Sequence, residues 1–131
     1  MPIVEFTESD LLRSKIVDPA WYRLQLGLVS EWTPTKDGQS NNCVIEGVIV
    51  CNADNGNEDF AGVPITLQFN DKVKARGFIE GFLKALGVEV QVGRFDLAAA
   101  NGLVVDSFIE NESYENRLKN RCNHKYRQVR A

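Results

Sequence analysis

The chain has 131 residues, 44% of them hydrophobic and 25% charged, with 18 acidic and 15 basic residues and three cysteines. That length holds one core without disulfides or metal, and no apolar run approaches the ~18 residues needed to span a bilayer. The acidic start MPIVEFTESD lacks a secretory-signal pattern, and the odd cysteine count fits a reducing compartment, so a cytoplasmic protein with no membrane association is expected.

One domain over residues 1–131 is the simplest division, with 1–16 as an N-terminal extension and 17–128 as the body. The extension carries Ile3, Val4, Phe6, Leu11 and Leu12, more apolar residues than a free tail needs. They either cover one end of the body or mediate self-association. A short helix over Ser9–Lys15, capped by Thr7 or Ser9, suits its first part, and Asp18-Pro19 marks a boundary. In WYRLQLGLVSEW the period is two: Tyr22, Leu24, Leu26 and Leu28 share one face, and Arg23, Gln25 and Glu31 the other, which predicts a half-buried strand. The Pro, Asp-Gly and Asn-Asn of TPTKDGQSNN make a loop. CVIEGVIVC is a second strand whose interior Gly47 predicts a bulge or bend, and DNGNEDF a second polar turn.

VPITLQFN alternates again, with Val63, Ile65, Leu67 and Phe69 inward. The period then becomes 3.6, and Ala75, Phe78, Ile79, Phe82, Leu83 and Leu86 mark the buried stripe of a helix from about Asp71 to Leu86. Asn70 or Asp71 can cap its start, and Gly87 can close it in the left-handed conformation. Gly77 and Gly81 weaken it intrinsically, so close approach to a sheet is the expected use of their missing side chains. RFDLAAANG ends in an Asn-Gly turn, and LVVDSFIE and RLKNRCNHKYRQ, joined by NESYEN, are two last strands. The order predicts a mainly β fold: a five-stranded antiparallel barrel with a helix between strands three and four, the layout of an OB-fold.

The charge is unevenly placed. Residues 117–130 hold six of the fifteen basic residues and no acid, whereas residues 1–116 hold nine basic and eighteen acidic residues. On a strand, Arg117, Lys119, Arg121, Lys125 and Arg127 share one face, and Leu118, Cys122 and Tyr126 the other. A solvated face usually mixes signs, because like charges on one face lie about 7 Å apart. Three readings follow: a surface for a polyanion, a strand neutralised by Glu110, Glu112 and Glu115 of its hairpin partner, or a docking face for a protein. For nucleic acid, phosphates suit the cations and exposed rings supply stacking platforms. Trp32 with Lys36 in the first loop, Phe60 in the second, and Tyr114 with Arg117 in the last are the candidates.

The segments WYRLQL, EGVIVCN, FAGVPITLQFN, FIEGFLKALG, GRFDL and FIENESYENRLKNRCNHKYR resemble a family of small phage-encoded, OB-fold-like single-stranded-DNA-binding proteins found beside recombination and replication genes. The resemblance covers roughly residues 16–128. It implies binding without turnover, work in the host cytoplasm with replication or recombination proteins as partners, and roles for Tyr114, Arg117, Asn120 and Tyr126. The chain departs from many such binders in ending RQVRA rather than in an acidic tail.

Enzymatic function is not expected. The sole histidine, His124, falls on the inward strand face, and no GxSxG, HExxH or P-loop pattern is present. Cys122 and His124 fall short of a zinc site, which needs about four ligands, and no cofactor is implied. Asp54, Glu58 and Asp59 can hold a hard cation or simply form a solvated turn. The remaining alternative is an OB-like protein-interaction module, such as a phage inhibitor of a host factor or a virion component, marked by an exposed apolar patch. Self-association is open on either reading.

Overall fold

A computed structural model describes Thr7, Leu11, residues 15–90 and residues 96–129. Of the helix expected over Ser9–Lys15 only Leu11 and Lys15 are described: Leu11 is exposed and helical, its N–H donating to the Thr7 carbonyl at 3.2 Å. The apolar residues Ile3, Val4, Phe6 and Leu12, and the GRF of GRFDL, lie outside the described residues. Strands β1 (Ala20–Val29), β2 (Thr33–Pro34), β3 (Asn41–Asn52), β4 (Pro64–Asn70), β5 (Val104–Tyr114) and β6 (Arg117–Arg127) form one antiparallel sheet. Among the described residues the one α-helix of more than a turn, α1 (Arg76–Ala85), follows a short 3-10 turn at Val73–Ala75, and a second 3-10 turn spans Leu97–Ala100. The sheet order is β2-β3-β1-β5-β6, with β4 on the other side of β3. The fold is mainly β with one helix, as the alternation predicts. The sheet has six strands rather than five, because Thr33–Pro34 adds a short one, and it does not close: no ladder joins β4 to β6. A groove of about 430 Å³ follows that gap, lined among others by Thr66, Gln68, Asn120, Arg121, Cys122 and His124.

The core faces are those that the period of two selects. Tyr22, Leu24 and Leu26 of β1, Val63 and the Ile65, Leu67 and Phe69 that follow in β4, and Val105 and Ile109 of β5 are all buried. Leu28 departs from the pattern, with 73% of its surface exposed. Leu26 pairs with Gly47 but Val29 with Ile45, so β1 carries one extra residue at Gly27–Leu28. A bulge of one residue reverses the alternation beyond it. Gly47 itself stays paired with Leu26 beside that bulge, and β3 carries its own extra residue at Val50, between the pairs Arg23–Cys51 and Leu24–Ile49.

α1 buries Ile79, Phe82, Leu83 and Ala85, while Phe78 is half exposed. Burial of each large residue contributes ~1.5–3 kcal/mol. The start differs from expectation: the Asp71 carboxylate accepts from the Asn41 N–H (2.8 Å) and side-chain amide (2.9 Å), tying the helix approach to β3 instead of capping α1. The end agrees. Gly87 has φ +77°, its N–H donates to the Lys84 carbonyl and that of Val88 to the Leu83 carbonyl, a Schellman closure.

Gly77 and Gly81 do not serve close packing, since a Cβ at either would meet nothing within 4 Å. Gly81→Ala is therefore expected to stabilise the fold by ~0.8–1.0 kcal/mol, the helix-interior difference between the two residues, read as a higher urea midpoint at unchanged slope.

Candidate nucleic-acid interface

β5 and β6 set the geometry of the basic strand. The hairpin's outer half runs past β1, whose first residue Ala20 pairs with Ile109. In this half Glu110 faces Arg121 and Glu112 faces Lys119 across the ladder, and Arg121 Nη1 lies 3.4 Å from Glu112 Oε1. These cations have acids opposite them, and Arg117 is exposed at the tip. Further along β6, Cys122 pairs with Ile109 but Tyr126 with Ser107, so Asn123, His124 and Lys125 face Phe108 alone. The surplus is two residues, so the alternation survives it. Cys122 and Tyr126 still point inward, and Arg121 and Arg127 outward.

His124 takes φ +61° in this bulge. Its ring lies 4.9 Å from Phe69 and 5.2 Å from Phe78, centroid to centroid, and its Nδ1 is 2.8 Å from the Tyr126 hydroxyl. It thus packs half-buried across the β4–β6 gap, against core rings and at the wall of the groove. Burial, aided by the Arg121 charge, pulls its pKa below the ordinary 6.5, against a hydrogen bond to the Gln68 backbone. The folded state favours the neutral ring, so the His124 contribution to stability is full above pH 6.5 and is lost as the pH drops from the unfolded towards the lower folded pKa. His124→Asn tolerates the left-handed backbone. It is expected to flatten the loss of stability between pH 6.5 and 5 in urea melts repeated across that range. Burial also raises the Tyr126 hydroxyl far above its ordinary pKa.

On the outer face, past the bulge, the cations meet aromatic rings. Trp21 of β1 and Phe108 of β5 are paired residues whose rings touch edge to face at 5.9 Å. The Arg127 guanidinium lies 4.4 Å over Trp21, and Lys125 Nζ 5.8 Å over Phe108. Beneath them is the Asp106 carboxylate, its side chain 4% exposed, 3.2 Å from Arg23 Nε and 3.8 Å from Arg127 Nε. Arg127 Nη2 also contacts Asp54 from the β3–β4 loop. Trp21, Phe108 and Arg23 thus join Lys125 and Arg127 in one patch on three adjacent strands.

The other candidates are dispersed. Trp32 and Lys36 are exposed on either side of β2, beyond the end of β1, whereas Tyr114 and Arg117 end the hairpin that passes the start of β1, so the two pairs lie at opposite ends of the sheet. The Tyr114 side chain lies outside the described residues. Phe60 packs edge to face on Tyr22 at 6.1 Å, with Lys15 Nζ 5.2 Å over its ring. Asn120 is an anchor: its Oδ1 accepts from the Val17 N–H at 3.0 Å and its amide donates to the Lys15 carbonyl at 2.9 Å. Asp54 is turned to Arg127, and among the described residues no three His, Cys, Asp or Glu side chains are grouped to hold a metal. Nor, among them, is any helix long and apolar enough to cross a membrane.

Trp21 and Phe108 were not candidates on sequence grounds. The signal was there in AWYRLQL, where the alternation that sends Tyr22 inward sends Trp21 outward beside Arg23. The β1–β5 pairing is what turns two solitary outward rings into neighbours. The class so defined is an antiparallel β domain with one helix and a mixed aromatic and cationic sheet face. No protein-family model matches the chain, and no curated protein does.

Proposed function

We propose that this domain is a non-catalytic binder of single-stranded nucleic acid with OB-like connectivity, and that the ligand crosses the outer face of β1, β5 and β6. The observation that carries the reading is the Trp21–Phe108 pair bordered by Arg23, Lys125 and Arg127. Rings supply sequence-tolerant stacking, and the cations supply phosphate contacts. The partly open Greek-key barrel of the OB architecture agrees with the strand order, with α1 between β4 and β5 and with the single unladdered gap. The site departs from the usual OB face: the outward side of β3 and β4 carries Val44, Glu46, Val48, Val50, Pro64, Thr66 and Gln68, with no cation among them. The resemblance to phage proteins favours DNA over RNA as the ligand.

Fluorescence anisotropy with a labelled oligo-dT, a matched duplex and a salt series tests this. With two or three phosphates engaged, log K is expected to fall with log salt at a slope of about −1.5 to −2. The duplex, whose bases are already stacked, is expected to bind at least about tenfold more weakly, as loss of one to two stacked bases implies. No binding of the single strand at low salt would refute the reading.

A second reading is favoured by a different surface. Leu28, Val48 and Val50 are 73%, 43% and 40% exposed, and Leu28, Val48 and Pro64 line one outer groove. Such a face suits a protein partner. Leu28→Glu with Val48→Lys is expected to abolish partner capture without changing oligonucleotide affinity if this reading holds.

A further inference from the structure

We propose that Asp54 is a resident competitor for the nucleic-acid phosphate: it holds Arg127 in the free protein, and the ligand displaces it to reach Trp21. This rests on the reading of the β1–β5–β6 face as the nucleic-acid site. Arg127 is shared by three groups, the Trp21 ring 4.4 Å from its guanidinium carbon, Asp106, and Asp54. They differ in what they can release. Asp106 is buried and also bonded to Arg23, so it stays with the sheet. The Asp54 side chain is 60% exposed and meets Arg127 from a loop outside the sheet.

That loop aims the carboxylate. Asn52 Oδ1 accepts from the N–H groups of Asp54 (2.8 Å) and Asn55 (3.1 Å), Asn55 Oδ1 from Asn57 (2.8 Å), and Asn57 Oδ1 from Asp59 (2.7 Å). Asn52 itself ends β3, paired with Tyr22. A chain of Asx turns therefore runs from the sheet into the loop and fixes the position of Asp54. A carboxylate and a phosphodiester offer a guanidinium the same forked pair of acceptors. A small free anion gains little by exchange, because the tethered carboxylate is already at high local concentration. A polynucleotide that also stacks on Trp21 and contacts Lys125 presents its next phosphate at comparable local concentration. Asp54 thus favours polynucleotides over small anions.

The test compares wild type, Asp54→Asn and Glu58→Gln, a neighbouring acid of the same loop, by anisotropy with labelled oligo-dT across a salt series. The free proteins are compared through the Arg127 Nε–H resonance. Asp54→Asn is expected to bind about two- to fivefold tighter, the range an exposed ion pair spans, with a salt slope steeper by up to ~0.7. Glu58→Gln is expected to leave the slope unchanged. Equal effects of the two substitutions, or no tightening with Asp54→Asn, would overturn the proposal. Failure of wild type and Asp54→Asn alike to bind would instead sink the nucleic-acid reading and, with it, the competitor role. The Arg127 resonance then separates the causes: its broadening in Asp54→Asn alone shows that the contact exists without that ligand, and no change shows that the contact itself is absent.

Discussion

Asp106→Ala is expected to lower the unfolding free energy by ~2–3 kcal/mol, the largest stability loss of any single substitution on the outer face. Its carboxylate is buried between Arg23 of β1 and Arg127 of β6, and removal leaves two guanidinium groups facing each other across β5. Breaking a fully buried pair costs ~3–5 kcal/mol. The value here is smaller because the Arg23 and Arg127 side chains, 29% and 40% exposed, still reach water. Asp106→Asn keeps an acceptor at the same place and is expected to cost less than half as much, since it removes the charge but not the hydrogen bond. Urea unfolding at pH 7 checks both. If Asp106→Ala costs below about 0.5 kcal/mol, the value of an ordinary surface change, the carboxylate does not organise the patch.

Trp21→Ala is expected to weaken oligo-dT binding by about 5- to 100-fold, since a base stacked on an aromatic side chain contributes ~1–3 kcal/mol. The ring is half-buried against Phe108, so the substitution also removes packing. Trp21→Phe separates the two roles: it keeps a π face and is expected to restore most of the affinity, whereas Trp21→Leu keeps apolar bulk and restores none. Among the cations, Lys125→Ala and Arg127→Ala are expected to weaken binding more than Lys119→Ala and Arg121→Ala. Arg127 also meets acids, Asp106 and Asp54, so the order rests on position: Lys125 and Arg127 lie on the rings where a base would stack, whereas Lys119 and Arg121, facing Glu112 and Glu110, do not. A reversed order would move the site to the hairpin tip.

Much of this architecture is local enough to be read from residue order. The alternation in VPITLQFN and the stripe Ile79, Phe82, Leu83 state which side chains are buried, and Gly87 closes its helix by backbone chemistry that needs no tertiary partner. The charge sorting of residues 117–127 is legible for the same reason, and survives only because the β6 bulge adds an even number of residues. What is not legible depends on partners distant in sequence. Leu28 turns outward because β1 and β3 differ by one residue in register, which neither segment reveals alone. Asp71 looks like a helix cap but is engaged by Asn41, thirty residues away. The acids that neutralise Arg127 come from two other elements, and Trp32 and Tyr114 separate because the hairpin extends past one end of β1 while Trp32 follows the other. A basic strand read by itself therefore overstates the free charge it presents.

The chain has two tryptophans. Trp21 stands on the proposed face, and Trp32 is in the loop at the opposite end of the sheet. The most direct measurement is the response of their two indole N–H resonances, assigned with Trp21→Phe and Trp32→Phe, to titration with oligo-dT. The proposed site predicts a saturable shift of the Trp21 resonance, with that of Trp32 unmoved. A shift of Trp32 with Trp21 unmoved, or of neither at saturating oligonucleotide, would contradict it.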